Sequence, residues 1–464
     1  MKAVSVIRNG LLGFALFIVL GAGSSIAQDA PVQTLFTNVH VFDGVNEKRI
    51  ENANVLVEGN LITAVSTEPL AAANAVIIDG GGGTLMPGLI DSHVHLNMYK
   101  DGTLLDLQNS TWEEIGARAA AMAKEMLAMG FTTVRDMCGA HGGLKGVVDA
   151  GLLEGPRIYL SGGCLSQTGG HGDWGIAGQR KGESNLERLE TTRLIDGRDE
   201  VLEGGRRNFS LGAHFLKIMV SGGVTSTKDP IYQSGFSDDE ISAAVETAAD
   251  YDTYVAMHVF QDSDLSRALD LGVKVVDHGL NISEETMQKM VEKEAFFSPN
   301  LTALADAALA HPMHQDPTFP PTQKFTRLRE ESTQLFDLIK KYQPKMVFDS
   351  DYVLMTGVPY RQSLDFTKYF VAETFGNFEA LKSLTSTGGE LAALTGRGNP
   401  YPETLGVIEV GAYADILIVD GNPLEDITAI GANPKWFDAQ ERGQDVPSIQ
   451  LIMKDGVIYK NTLD

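Results

Sequence analysis

Two β-like stretches bracket the chain. Residues 33–87 alternate short apolar runs with turn residues in LFTNVHVFDG, ANVLVEGNLITAV and AVIIDGGGGTLMPG, and residues 404–462 repeat that texture in LGVIEVG, ADILIVDG and IQLIMKDGVIYK. Between them the period changes. TWEEIGARAAAMAKEMLAMG opens at Thr111 with Glu114 three positions on, which predicts a capping box, and closes at Gly130. FSDDEISAAVETAADYD carries the same signature at Ser237 and Glu240, and LSRALDLG and SEETMQKMVEK complete a series of predicted helices. Interleaved with these lie eight strand-like runs: GLIDSHVHL, FTTVRDMC, RIYLSGG, HFLKIMVSGG, TYVAMHVF, KVVDHG, AFFSPNL and KMVFDSD.

Strand and helix in repetition imply a parallel sheet. The predicted architecture is α/β: a (β/α)8 TIM barrel over residues 88–400, with a small β-sandwich built from both chain ends, 28–87 and 401–464. A doubly wound open sheet competes, but the Gly-rich fingerprint expected after its first strand is missing. The stretch from about 303 to 343 is too long for an ordinary connection and includes HPMHQDPTFPPTQKF. It is expected to form a lid over the barrel mouth, with His311 and His314 exposed to solvent.

Residues 1–27 place Lys2 and Arg8 before a short apolar core and end in Ser25-Ile26-Ala27, the pattern of a secretory signal peptide. That apolar run is shorter than the ~20 residues of a spanning helix, and no later stretch could span a bilayer. The mature chain is therefore expected to be exported, periplasmic or secreted. The net charge of −24 becomes more negative once Lys2 and Arg8 leave with the leader, which argues against nucleic acid as a partner. Because the acidity is spread along the chain, an anionic substrate needs a local cationic pocket. Cys138 and Cys164 are the only cysteines. They exclude a disulfide-stapled scaffold, and one bridge or two buried thiols both suit them.

Six polar residues interrupt the apolar or Gly-rich runs. His93 and His95 in GLIDSHVHL are two apart and share a strand face with Asp91, an arrangement suited to a metal at the C-terminal end of a barrel strand. Lys217 lies among Phe215, Leu216, Ile218 and Met219, where a charge is costly. It is either a snorkelling or ion-paired lysine, or a neutral amine able to take up carbon dioxide as a carbamate. His258 ends TYVAMHVF and His278 ends KVVDHG. Each alone suits a core histidine, but on consecutive strands below an HxH pair and a buried lysine they suit ligation. Asp351 closes KMVFDSD, and Asp349 shares its face, so parity does not choose between them.

Together these motifs resemble the amidohydrolase superfamily over nearly the whole mature chain, including GAYADILIVDGNP near the C-terminus. The resemblance implies that His93 and His95 hold one divalent metal with Asp351, that His258 and His278 hold a second, and that carbamylated Lys217 bridges them together with a hydroxide. Zinc is the default ion, with manganese or cobalt as substitutes. Asp351 is the implied proton carrier. In the family's last-strand motif the aspartate usually follows Gly-Thr, whereas here it follows Asp349-Ser350.

SQTGGHGD, LKIMVSGGVTS, DPIYQSGFSDDEI and VAMHVF resemble the prolidase and imidazolonepropionase-related branch, and within it the ochratoxin-hydrolysing amidohydrolases. The implied activity is hydrolysis of the amide to a C-terminal amino acid in N-acyl amino acids, dipeptides or ochratoxin A, with His171 and Tyr232 contacting the substrate. An Xaa-Pro dipeptidase and a mononuclear deaminase or ring hydrolase are the alternatives. The implied partners are this small molecule and further copies of the chain in a homo-oligomer. A catalytically dead binding barrel is the non-enzyme alternative, and the presence of all six candidate ligands speaks against it.

Overall fold

The computed structural model describes residues 32–311 and 314–463; the expected leader, 1–27, lies outside them. Both chain ends meet in one eight-stranded sheet. Its N-terminal members are β1 (Gln33–Val41), β2 (Ile50–Glu58), β3 (Leu61–Ser66), β4 (Val76–Asp79) and β5 (Thr84–Pro87). After the body of the chain come the last three strands, β16 (Ile416–Val419), β17 (Ile449–Lys454) and β18 (Val457–Asn461). The order is β18-β17-β16-β5-β1-β2-β3, with β4 also paired to β1. Hydrogen bonding in this sheet is continuous from one chain end to the other. LGVIEVG, expected as a strand, is irregular because Gly406 and Gly411 adopt φ of 75° and 93°, although Val407 and Ile408 still reach the core.

Strand β16 shows how the two parts of the molecule join. Its alternate residues Ile416 and Ile418 pack with Phe36, Val55 and Leu451 in the core of the mixed sheet, while Leu417 and Val419 pack into the larger core of the body. All four are fully buried. Each contributes about 1.5–3 kcal/mol of apolar burial, so one strand belongs to two cores.

Among the described residues, the named strands of the body pair in parallel. β6 (Leu89–Val94), β7 (Phe131–Asp136) and β8 (Arg157–Leu160) form one sheet. The other runs β10-β9-β11-β12-β13-β14-β15, made of β9 (Cys164–Ser166), β10 (Thr192–Leu194), β11 (Leu216–Met219), β12 (Val255–Val259), β13 (Val275–His278), β14 (Phe296–Ser298) and β15 (Lys345–Met346). Backbone hydrogen bonds join the two sheets at both edges. His214 N donates to Leu160 O (2.7 Å), and Ser92 N donates to Phe348 O (2.9 Å). Strands β11, β12 and β13 are buried throughout, as expected of parallel strands covered on both faces.

Capping separates two helices that look alike in sequence. At helix Asp238–Asp250 the box is reciprocal between Ser237 and Glu240. At helix Trp112–Ala128, Thr111 accepts from Glu114 N, but the Glu114 carboxylate turns instead to Lys100 and Arg118. A lysine and an arginine compete for the acid, so only half of the predicted box forms. Among the described residues no helix is long and apolar enough to cross a membrane.

Candidate active site

A cavity of about 200 Å³ opens at the C-terminal ends of the parallel strands. His93, His95, Lys217, His258, His278 and Asp351 all line it, together with His171. Residues far apart in sequence thus converge because parallel strands deliver their last side chains to one end.

Asp351 stands between the histidines. One carboxylate oxygen lies 3.1 Å from His95 Nε2 and 3.4 Å from His93 Nε2, and the other lies 3.8 Å from His278 Nδ1. Asn300 Nδ2 donates to that second oxygen at 3.5 Å. Asp349 takes the opposite side of His93. Its Oδ2 is 3.2 Å from His93 Nδ1, alongside Asp277 Oδ1 at 3.5 Å, and Ser298 Oγ donates to it at 2.9 Å. The backbone explains the separation. Asp351 has φ of 47°, outside the strand region, so the two-residue parity that gave both aspartates one face no longer applies. His278, with φ of 69°, departs in the same way. Neighbouring Asp277 and His278 consequently both contact the histidine cluster. Such backbone is costly for non-glycine residues, by about 1–3 kcal/mol each, and clusters at functional sites.

Asp277 is the residue that sequence reading missed. Its carboxylate accepts from Lys217 Nζ, and both side chains are buried. The signal was an acid inside the apolar run VVDHG, overlooked beside its histidine. Burial lowers the Lys217 pKa from the ordinary lysine value, against the opposing pull of Asp277. For His93, burial disfavours charge, but Asp349 and Asp351 outweigh it and raise the pKa to about 10. Burial lifts Asp349 to about 6 despite His93, whereas the histidines around Asp351 hold it below the usual carboxylate range against burial. Burial lowers His95, His258 and His278, the last to about 3, which keeps these imidazoles neutral.

Two further buried acids shape the site from behind. Asp91 Oδ1 accepts from His93 N (3.1 Å), and burial raises Asp91 to about 7. Asp136, also raised by burial to about 7, accepts from Leu96, Cys138 and Ala140 N–H groups and so ties the loop after β6 to the loop after β7. Cys138 and Cys164 form a disulfide, which closes the alternative left open by the sequence. Cys138 lines the cavity.

His171 stacks on His258, with ring centroids 4.2 Å apart and planes 14° from parallel. Tyr232 is placed otherwise than expected. It is 61 % exposed beneath Arg327 and does not line the cavity, because the excursion closed by the Ser221–Ser234 bridge turns its neighbour Ile231 inward instead. His311 and His314 are also corrected: both line the cavity, and His314 stacks on Phe325 at 3.6 Å. The described residues of the 303–343 segment fold into 3-10 turns and the helices Pro320–Glu331 and Leu335–Tyr342, and Ala303, Ala308, Phe325 and Leu328 form an apolar wall.

The donors fit a metal centre. Donor atoms of His93, His278 and Asp351 lie within 4.8 Å of one another, as do those of His93, Asp277 and Asp349. His95 Nδ1 and Asp349 Oδ1 are buried without a hydrogen-bond partner, and a mixed imidazole and carboxylate set suits a divalent cation.

Comparison with known proteins agrees with this geometry. The model of the amidohydrolase family matches residues 84–459. The chain is 28% identical to an ochratoxinase from Aspergillus niger over 379 residues, 74% of this chain and 71% of that one. A prolidase solved with N-methylphosphonate-L-proline superposes with a TM-score of 0.82 at 32% identity, covering 93% of this chain and all of that one. A Xaa-Pro dipeptidase with methionine bound in its active site gives 0.75 at 25% identity, over 92% and 100% of the two chains. The chain belongs to the amidohydrolase family, and its class is that of a hydrolase acting on amide bonds.

Proposed function

We propose that this protein is a binuclear-metal carboxypeptidase that hydrolyses the amide to a C-terminal amino acid, with ochratoxin A and N-acyl-phenylalanine among its substrates. The observation that carries the reading is one cavity whose floor gathers four histidines, Lys217 and Asp351 and whose far wall is apolar. In this reading the eight strands β6, β7, β8 and β11 to β15 close into a (β/α)8 barrel, residues 88–400 form the catalytic domain, and segments 28–87 and 401–464 form its β-rich companion.

His93, His95 and Asp351 would hold one cation and His258 and His278 a second, with Lys217, as its carbamate, a ligand available to both. Two divalent cations, zinc by donor chemistry, supply a Lewis acid for the carbonyl and an activated water. The chain's own groups do the rest. Asp349 and Asp277 fix the His93 ring through Nδ1, as carboxylates behind ligand histidines do. Asp351 takes the proton and returns it to the leaving amine. His171 meets the substrate carbonyl or carboxylate, and Phe325 and Leu328 cover its apolar part. We further infer export to the periplasm or medium, in keeping with the Cys138–Cys164 disulfide, and assembly as a homo-oligomer.

Similarity to both an ochratoxinase and a prolidase makes Xaa-Pro dipeptides the second reading. The test is turnover of ochratoxin A and N-acyl-phenylalanine beside Xaa-Pro dipeptides. Cleavage of the aromatic amides supports the first reading. Hydrolysis of Xaa-Pro alone replaces it with the second.

A further inference from the structure

His171 is held from behind by a cluster that plays no part in the proposed metal centre. Its Nδ1 lies 2.8 Å from Ser226 Oγ and 3.1 Å from Asp229 Oδ2. This leaves Nε2 as the ring nitrogen available to the cavity. Asp229 is almost fully buried, and besides His171 its carboxylate accepts from Gly223 N (2.6 Å) and from Ser226 Oγ. The ring rests directly on Gly223, where a Cβ would come within 2.2 Å of His171 Cε1.

The countercharge comes from another part of the chain. Lys324, on helix Pro320–Glu331, lies 3.5 Å from Asp229 Oδ1, and its Nζ donates to Gly223 O and Ser226 O, each at 2.8 Å. The next residue, Phe325, and Leu328 on the same helix line the cavity. One lysine therefore joins the apolar wall to the loop that orients His171. Lys228, paired with Asp173 at 2.7 Å, pins the same loop to the segment carrying His171.

We propose that Asp229 and Lys324 are positioning residues for His171: Asp229 sets the ring over His258, and Lys324 makes that setting depend on the seating of the cavity-wall helix. A role in substrate contact for His171 rests on the proposed amide hydrolysis; the ring geometry does not. The arrangement fits a substrate that presents an oxygen to His171 and an apolar group to Phe325 and Leu328, because seating the second steadies the first.

The test begins without substrate. Crystal structures of Asp229→Asn and Lys324→Met are expected to show the His171 ring rotated or disordered, with Lys324→Arg retaining the parallel stack on His258. A ring unmoved in both variants overturns the proposal. Lys324→Met keeps the apolar stem of the side chain and carries the test should Asp229→Asn fail to fold. Kinetics on whichever amide the wild type cleaves form the second arm. Lys324→Met is expected to raise KM on the order of ten-fold, the loss of about one oriented hydrogen bond. In a His171→Asn background the same substitution is expected to cost less than two-fold. An equal cost in both backgrounds shows that Lys324 acts elsewhere and overturns the inference. Failure of the wild type to cleave any amide removes the proposed function but leaves the ring test decisive.

Discussion

The floor and the far wall of the cavity are built on opposite principles. On the floor, polar groups sit at strand ends and are held from several sides: His93 by Asp277 and Asp349 through Nδ1, and Asp351 by backbone donation from its own N–H to His93 O at 3.0 Å. On the wall, Phe325, Leu328 and Ala308 come from helices and 3-10 turns and offer only shape and apolar surface. The contrast teaches where to look for each property. Chemistry demands groups fixed to fractions of an ångström and belongs on the sheet, whereas selectivity can change with the residues of one helix.

The sharpest break of this comparison lies at the floor. Lys217→Ala and Asp351→Asn are each expected to lower kcat/KM by about 10²–10⁴-fold. Metal analysis should find two ions per wild-type chain and fewer in Lys217→Ala. One ion in both proteins would replace the binuclear centre with that of a mononuclear ring hydrolase.

Next in size is the disulfide at the cavity edge. Closing a loop across 26 positions, it is expected to contribute about 3 kcal/mol to stability, read as a lower thermal midpoint in reductant or in Cys164→Ala. Equal midpoints would show that the floor does not depend on it.

Asp349→Asn separates the two aspartates. Acting through His93, it is expected to cost about 10–100-fold in activity or metal affinity. A loss as large as that of Asp351→Asn would put Asp349 among the ligands. For the wall, Leu328→Ala is expected to change the preference between N-acyl-phenylalanine and Xaa-Pro substrates by roughly ten-fold with metal content untouched. An unaltered preference would remove the wall's role in selectivity.

The smallest effect lies at the opposite end of the strands, on His214. Its Nδ1 accepts from Leu160 N at 3.0 Å, and burial, with Lys145 nearby, lowers its pKa to about 4. The folded state therefore prefers neutral imidazole. Its contribution is complete above the unfolded value near 6.5 and is lost as pH falls from there towards 4. Urea midpoints over that window should fall less steeply in His214→Gln than in the wild type.

Most strands of the body were legible as short apolar runs that carry a polar residue at or near one end, and parity put His93 and His95 together. Parity failed where the backbone left the strand region. Asp349 and Asp351 could not be told apart, and Asp277 was passed over, because positive φ at Asp351 and His278 reorients what alternation predicts. The short strands β9 and β10 and the cavity-facing His311 and His314 depend on contacts made across the fold, which leave no period in the sequence. Tyr232 was misplaced for the same reason.

The double membership of β16 has a consequence for biosynthesis. Met86 pairs with Leu417, so β5 emerges from the ribosome with one edge unpaired. It waits on the order of tens of seconds for its partner at about 5–20 residues per second. Until then the nascent chain exposes an apolar strand edge able to recruit other strands. Yield during expression should therefore respond to slower temperature regimes and to chaperones that shield early strands.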